Sequence, residues 1–482
     1  MKLTENKYIY LKNKKIIFNV FNLIIKNKLN ALILKLIIIL FIILMIFNYK
    51  NLIRIDNDIT FQNYLDIQKK INMTFYNKIN KKIRVGIYGH CLKNGGRARI
   101  TALLINYLNP VKIFDLYLFT RKKEDDEYKI PQNIKRIIIK NNLIKLVRKN
   151  NIEVLIYQLD YINEIEALNK ISNIKTIFYH HSSTFDWLYD NYTFFKIIYE
   201  RFTKSKYIVS IVPYESDYLF EKWGINSLLM NNFITYDYKY VIQSDLSLKI
   251  IIMIGRANSK KKRFLIGILA MEYIIKEIPN CEMKIVSNLT GINNQINLVD
   301  NLNLDNNIKF VGYNSITEIF FKNVSLNIFP SISEAFPMVL CEAKIYGIPN
   351  VLLGLNYVAI SRDGTVIIYD DLVESLAKEV IKILKNETYK KKLGLKARKS
   401  MKKYNNNLLI IKWIKLILSI YNNNERDIDY YQILKKENIQ LEKNDSINIL
   451  YKQVNLLRMR DIRFQNLTLY NFENYTFLQS LY

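Results

Sequence analysis

Residues 325–349 read SLNIFPSISEAFPMVLCEAKIYGIP, and their order decides the fold class. SLNIFPS is an apolar run of strand length, SEAFP a turn, and MVLCEAKIYG an apolar-periodic helix. Gly347-Ile348-Pro349 stops that helix, and PNVLLGL opens the next strand-like run. Strand, turn, helix and strand in immediate succession is the unit of a parallel sheet, because parallel neighbours need a crossover. Ligands of such sheets sit outside the carboxyl ends of the strands. Here that end carries Glu334 in the turn, with Glu342 on the helix and facing the same crevice. Two carboxylates there accept hydrogen bonds from hydroxyls, while the helix N-terminus faces phosphate. Taken alone, the E-x7-E spacing also fits many surface helices.

Outward from this unit the alternation continues in both directions. Upstream, LKIIIMIGRA is a strand followed by Gly255-Arg256, and KKKRF (260–264) opens the helix FLIGILAMEYIIKEI. Cations beside the free N–H groups of a helix start suit a diphosphate, although one such cluster also fits solvated surface charge. The strands EMKIVS and NIKFVGY follow, and TVIIYD plus helices over 371–403 lie downstream. Earlier in the chain KKIRVGIYGH, VKIFDLYLF, EVLIYQL, KTIFYHH, KYIVSIV and SLLMNNF read as a second series of strands, most of them separated by helices. The first is followed by Gly95-Gly96 and the helix ARITALLINYL. A polar stretch at 235–247 separates the two series, and 404–422 reads as an amphipathic helix. The sequence therefore predicts two doubly wound α/β domains, over 81–240 and 241–424, with strand ends facing a cleft.

Composition removes the other classes. The 482 residues are 50% hydrophobic and 13% aromatic, which excludes a disordered chain. Gly 13 and Pro 7 exclude collagen-like and linker architectures, and three scattered cysteines give neither a disulfide scaffold nor a cysteine zinc site. The net charge of +28 accompanies 57 Asn and many Ile, a pattern of AT-rich codons, and it contains no dense basic block. No aromatic-basic motif accompanies it, so a nucleic-acid partner is not expected.

The N-terminus reads differently from the body. A basic segment (1–30) precedes ALILKLIIILFIILMIF (31–47), interrupted only by Lys35. Seventeen helical residues span roughly 25 Å, and flanking residues to 49 extend the span toward a bilayer crossing. The expectation is a transmembrane anchor at 31–49 and a stem over 50–80. Five Lys in the 20 residues before it, against Lys50 and Arg54 after it, favour a single-pass protein with a cytosolic N-terminus. Residues 425–482 form a tail of unassigned role.

Gly95-Gly96, Gly255-Arg256 with Lys262, and Glu334-Ala335-Phe336…Glu342-Ala343 before Gly347-Ile348-Pro349 together carry a resemblance. Over residues 82–420 the chain resembles the retaining GT-B glycosyltransferases of glycosyltransferase family 4. The resemblance implies two Rossmann-like domains facing a cleft, the first on the acceptor side and the second binding the nucleotide-sugar. It implies a membrane-anchored enzyme moving a hexose-type sugar from a nucleotide-sugar donor to a glycan or lipid-linked acceptor. Arg256 and Lys262 are then assigned to the donor diphosphate, Glu334 to the donor sugar, and Glu342 to the ribose. His181, or its neighbour His180, is implied to line the cleft and hydrogen-bond the donor sugar. Gly95 and Gly96 form the loop after the first strand, and Phe336 belongs to the second-domain motif. The chain departs from the family pattern at Ala335 and Pro337, both usually Gly, so Met338 and Val339 would supply backbone N–H groups. Arg256 and Lys262 are six apart rather than five, which leaves Lys261 as an alternative phosphate ligand. No metal or other cofactor is expected: Asp56/Asp58 and Asp427/Asp429 have the D-x-D form but follow no sheet strand. The competing expectation is a nucleotide-sugar or glycan binding protein of the same fold without turnover.

Overall fold

The computed structural model describes residues 81–424 and Ile428, with breaks at 94, 141, 159–161, 172, 184–191, 238–240, 314–317, 355–358, 371 and 425–427. The described residues belong to one compact unit, Tyr76–Tyr482. The basic segment, the anchor, the stem, both D-x-D pairs and nearly all of the tail lie outside the described residues. Among the described residues, no helix is long and apolar enough to cross a membrane.

Two fully parallel sheets form the core. The first contains β1 (Ile83–Tyr88), β2 (Phe114–Thr120), β3 (Lys135–Ile138), β4 (Val154–Tyr157), β5 (Lys175–Tyr179), β6 (Tyr207–Ser210) and β7 (Leu228–Leu229), in the order β3-β2-β1-β4-β5-β6-β7. The second contains β8 (Ile250–Ile254), β9 (Glu282–Ser287), β10 (Ile308–Gly312), β11 (Leu326–Phe329), β12 (Asn350–Leu353) and β13 (Thr365–Ile368), in the order β10-β9-β8-β11-β12-β13. Both orders reverse beside their first strand, at β1/β4 and β8/β11, the positions where sheets of this kind take up their ligands.

The helices that cover the first sheet are α1 (Gly96–Leu108), α2 (Leu143–Lys149), α3 (Ile162–Asn169), α4 (Tyr192–Lys204) and α5 (Pro213–Trp223). The second carries α6 (Phe264–Glu277), α7 (Asn293–Asn301), α8 (Glu318–Phe321), α9 (Met338–Ile345), α10 (Val373–Lys385) and α11 (Glu387–Ser400). Central strands read as unbroken apolar runs because helices cover both faces. In β8, Ile251 and Met253 join the core with Ile268, Met271 and Val380, while Ile252 and Ile254 face Phe321, Ala343 and Ile348 on the other side. Two cores at a two-residue period is what a strand buried on both faces requires.

Three elements differ from the expectation, each for a physical reason. The run SLLMNNF shrinks to two paired residues at the sheet edge, Leu228–Leu229. The strand β3 was not anticipated: it is the other edge of that sheet, with Lys135 and Arg136 in a strand whose residues are at most half-buried. Charged, partly wet side chains are what an edge strand tolerates, and they erase the apolar signal. The helix α7 was also not anticipated, because it buries only Gln295 and Val299 and presents no apolar stripe.

The last helix, α12 (Asn406–Tyr421), follows the second domain in sequence but packs on α1 and β4 of the first. Its Asn406 side chain accepts from Ile234 N (2.9 Å) and donates to Ile234 O and the Tyr107 hydroxyl, both at 2.8 Å. Trp413, fully buried, meets the Tyr179 ring edge-on at 4.9 Å.

Candidate active site at the facing strand ends

The second domain supplies two loops, after β8 and after β11, and they are tied to each other. Past β8, Gly255 and the exposed Arg256 lead into a single 3-10 turn at Lys260–Lys262. Arg263, in the left-handed region at φ 47°, donates from Nε to Pro330 O at 2.8 Å. Ile332 N donates to Lys261 O at 2.8 Å. These two bonds bring Lys262 against Glu334 as an ion pair, with the ammonium 5.4 Å from the Phe329 ring centre. The Lys261 side chain is exposed. Of the two lysines left open by the spacing, Lys262 forms this ion pair.

Pro337 precedes α9 and contributes no N–H, while its carbonyl accepts from Cys341 N at 3.2 Å. The first N–H groups of the helix, on Met338 and Val339, have no partner one turn back and so remain available to an anion. Phe336 is buried and meets Tyr404 edge-on at 5.6 Å.

From the first domain, Gly95 caps α1 at φ +87°, and a Cβ on Gly95 or on Gly96 would meet nothing within 4 Å. At Gly95 the demand is therefore conformational; the exposed loop keeps its space open. Just past β5, His180 Nδ1 lies 2.9 Å from Oε2 of Glu215, a fully buried residue in the first turn of α5. The neighbouring His181 stacks obliquely on Tyr179 at 4.0 Å, and its Nε2 is buried without a hydrogen-bond partner. Burial first, then His180 and Arg97, hold its pKa well below the usual histidine range. His181 is thus a neutral imidazole. Next to Glu215, the Tyr214 hydroxyl donates to the backbone carbonyl of Glu334 at 3.2 Å and lies 3.4 Å from Ser183 Oγ. That bond sets the His181–Ser183 segment beside the Lys262–Glu334 pair.

Glu342 departs from the expectation of a carboxylate open to the crevice. It is fully buried, paired with Arg99 of α1, and its Oε1 also accepts from Thr235 Oγ1 at 2.7 Å. Arg99 donates from its other terminal nitrogen to the Tyr313 hydroxyl at 2.8 Å, and that hydroxyl lies 2.9 Å from Tyr128 OH. Burial opposes the Arg99 cation, but Glu342 and the two tyrosines outweigh it and raise its pKa further. Sequence reasoning missed Arg99, Tyr214, Glu215, Thr235 and Tyr313. An arginine on the apolar-periodic helix ARITALLINYL, one turn after Gly-Gly, is the one of these signals visible in sequence.

Among the described residues no three His, Cys, Asp or Glu side chains gather as a metal would need. The chemistry this arrangement offers is a lysine–carboxylate pair, an exposed arginine, free helix N–H groups and a neutral imidazole at one seam between the domains.

Residues 238–405 match the family model of the glycosyl transferases group 1. The chain is 23% identical over 298 residues to an uncharacterized glycosyltransferase of Haemophilus influenzae, covering 59% of this chain and 82% of that one. Among solved structures it resembles sucrose-phosphate synthase of Thermosynechococcus elongatus, with a TM-score of 0.60 at 15% identity over 71% of this chain and 100% of that one. It likewise resembles Anabaena HepE in complex with UDP-glucose, with a TM-score of 0.58 at 13% identity over 70% of this chain and 99% of that one. At these identities the structural likeness shows the fold, two Rossmann-like domains in the GT-B arrangement.

Proposed function

We propose that the protein is a glycosyltransferase that moves a sugar from a nucleotide-sugar donor to a glycan or lipid-linked acceptor, with retention. The observation that carries this reading is the Lys262–Glu334 pair at the strand ends of the domain that matches the glycosyl transferases group 1. An ammonium has three N–H donors, so Lys262 can hold Glu334 with one and offer others to a diphosphate. In this reading Arg256 and Lys262 neutralise the departing diphosphate, joined by the N–H groups of Met338 and Val339. Glu334 and His181 hydrogen-bond the donor sugar and hold it for attack. The acceptor hydroxyl forms the new glycosidic bond on the face that the leaving group vacates. Its proton passes to the departing phosphate oxygen, so no protein base is needed. Positive charge from Arg256 and Lys262 takes the part that a metal would otherwise play. The apolar run at 31–47 supports anchoring of this enzyme to a membrane by its N-terminus.

The test is a thermal-shift screen against nucleotide sugars, followed by determination of the product anomer. Stabilisation by one donor, and a product with the donor's anomeric configuration, are the expected results. An inverted product removes retention; stabilisation without turnover makes the protein a binder.

A further inference from the structure

Arg99 and Glu342 sit on helices of different domains, yet both are buried, at 7% and 0% exposure. A buried ion pair is an inefficient clamp, since stripping water from both charges offsets most of their attraction. Its detail is also lopsided. Oε1 of Glu342 has two donors, Arg99 and Thr235, while Oε2 is buried with no hydrogen-bond partner. A charged oxygen left in that state is unfavourable and is relieved by any ligand that brings a hydroxyl to it. Arg99 is itself held in place. Its second nitrogen donates to Tyr313, which is bonded to Tyr128, and its guanidinium lies 5.3 Å from the Tyr128 ring centre. A planar fork fixed at two points sets the orientation of the carboxylate it grips.

We propose that Arg99 is a positioning residue, which grips Oε1 of Glu342 from the first domain and reserves Oε2 for a ribose hydroxyl of the nucleotide donor. The inference rests on the reading of a nucleotide-sugar site given above. Because the two halves of the pair belong to different domains, the ribose contact is complete only when the domains meet. Donor ribose and domain closure are thereby coupled through a residue that touches no substrate.

The experiment measures affinity for UDP, GDP or ADP, whichever binds the parent tightest, against its dideoxy counterpart lacking both ribose hydroxyls. The parent is expected to prefer the ribose form by about tenfold or more, as for a hydrogen bond to a charged group. Arg99→Lys keeps the buried charge but not the fork, and its preference should fall below about threefold, as should that of Arg99→Met. Tyr313→Phe, which frees one end of the fork, should fall between, and it keeps the test decisive if Arg99→Met does not fold. Arg256→Ala is the control: it should weaken both ligands and leave their ratio unchanged. A purely structural clamp would alter stability and not this ratio. Full preference retained in Arg99→Lys and Tyr313→Phe overturns the assignment of Arg99 and leaves the transferase reading standing. A parent that binds the diphosphate without preferring ribose does the same. A parent that binds none of the three overturns both.

Discussion

Arg256 is exposed and, among the described residues, makes no side-chain hydrogen bond or ion pair, whereas Lys262 is committed to Glu334. The free cation is the one whose interaction is made when charge develops, so its loss should appear in turnover more than in binding. Arg256→Ala should lower kcat by about 100- to 1000-fold with a smaller change in donor affinity. Steady-state kinetics checks this, and added EDTA should leave the parent rate unchanged. Glu342→Gln should weaken donor binding in the purified variant while unfolding remains cooperative, read by calorimetry with and without donor. The place of Glu334 past a strand end was legible in the sequence, because strand, turn and helix fix where that end lies, whereas the burial of Glu342 against α1 was not. Arg99 was not, because its partner stands 243 positions away and only the meeting of two domains brings them together.

At the scale of elements, the site's helix α9 is fastened to the segment before β13, which in turn packs against α11. Lys344 of α9 is fully buried, and its ammonium donates to the carbonyls of Ile360, Arg362 and Asp363, fastening the segment before β13. Burial lowers its pKa from 10.5 to about 7. The unfolded chain then binds more protons than the folded one between those values, so this group's contribution to stability rises with pH across that window. Urea denaturation of the parent and Lys344→Met from pH 7 to 10 should show the parent gaining on the variant, by at most about 1.4 kcal/mol per pH unit. A flat difference would mean that Lys344 stays charged in the fold. Nearby, Gly364 has φ +69°, and a Cβ there would lie 2.2 Å from Ala397 N on α11. Gly364→Ala should destabilise by at least about 2 kcal/mol through strain and backbone overlap together, read as a lowered urea midpoint. The strands of both sheets were legible wherever burial on two faces left an apolar run. The edge strand β3 and the polar helix α7 were not, since an element that buries little writes little into its sequence.

For the whole molecule, α12 is the strap that carries the chain from the second domain back onto the first. Its amphipathic period was plain in the sequence, but the surface that receives it was not, because the period names a face and no partner. Trp413→Ala should cost about 3–5 kcal/mol. The loss should fall on the first domain, seen as faster amide exchange in β4 and β5 rather than in β8 and β9. The same reach across the seam, by α12, Tyr214 and Arg99, places the strand ends of two domains around one site, and sugar transfer is the activity that placement supports. The most direct test incubates the full chain with a panel of nucleotide sugars and measures nucleoside diphosphate released, in parallel with Arg256→Ala. Release from at least one donor by the parent is expected, at a rate about 100-fold or more lower in the variant. No release from any donor that stabilises the protein, or equal release by parent and variant, would contradict it.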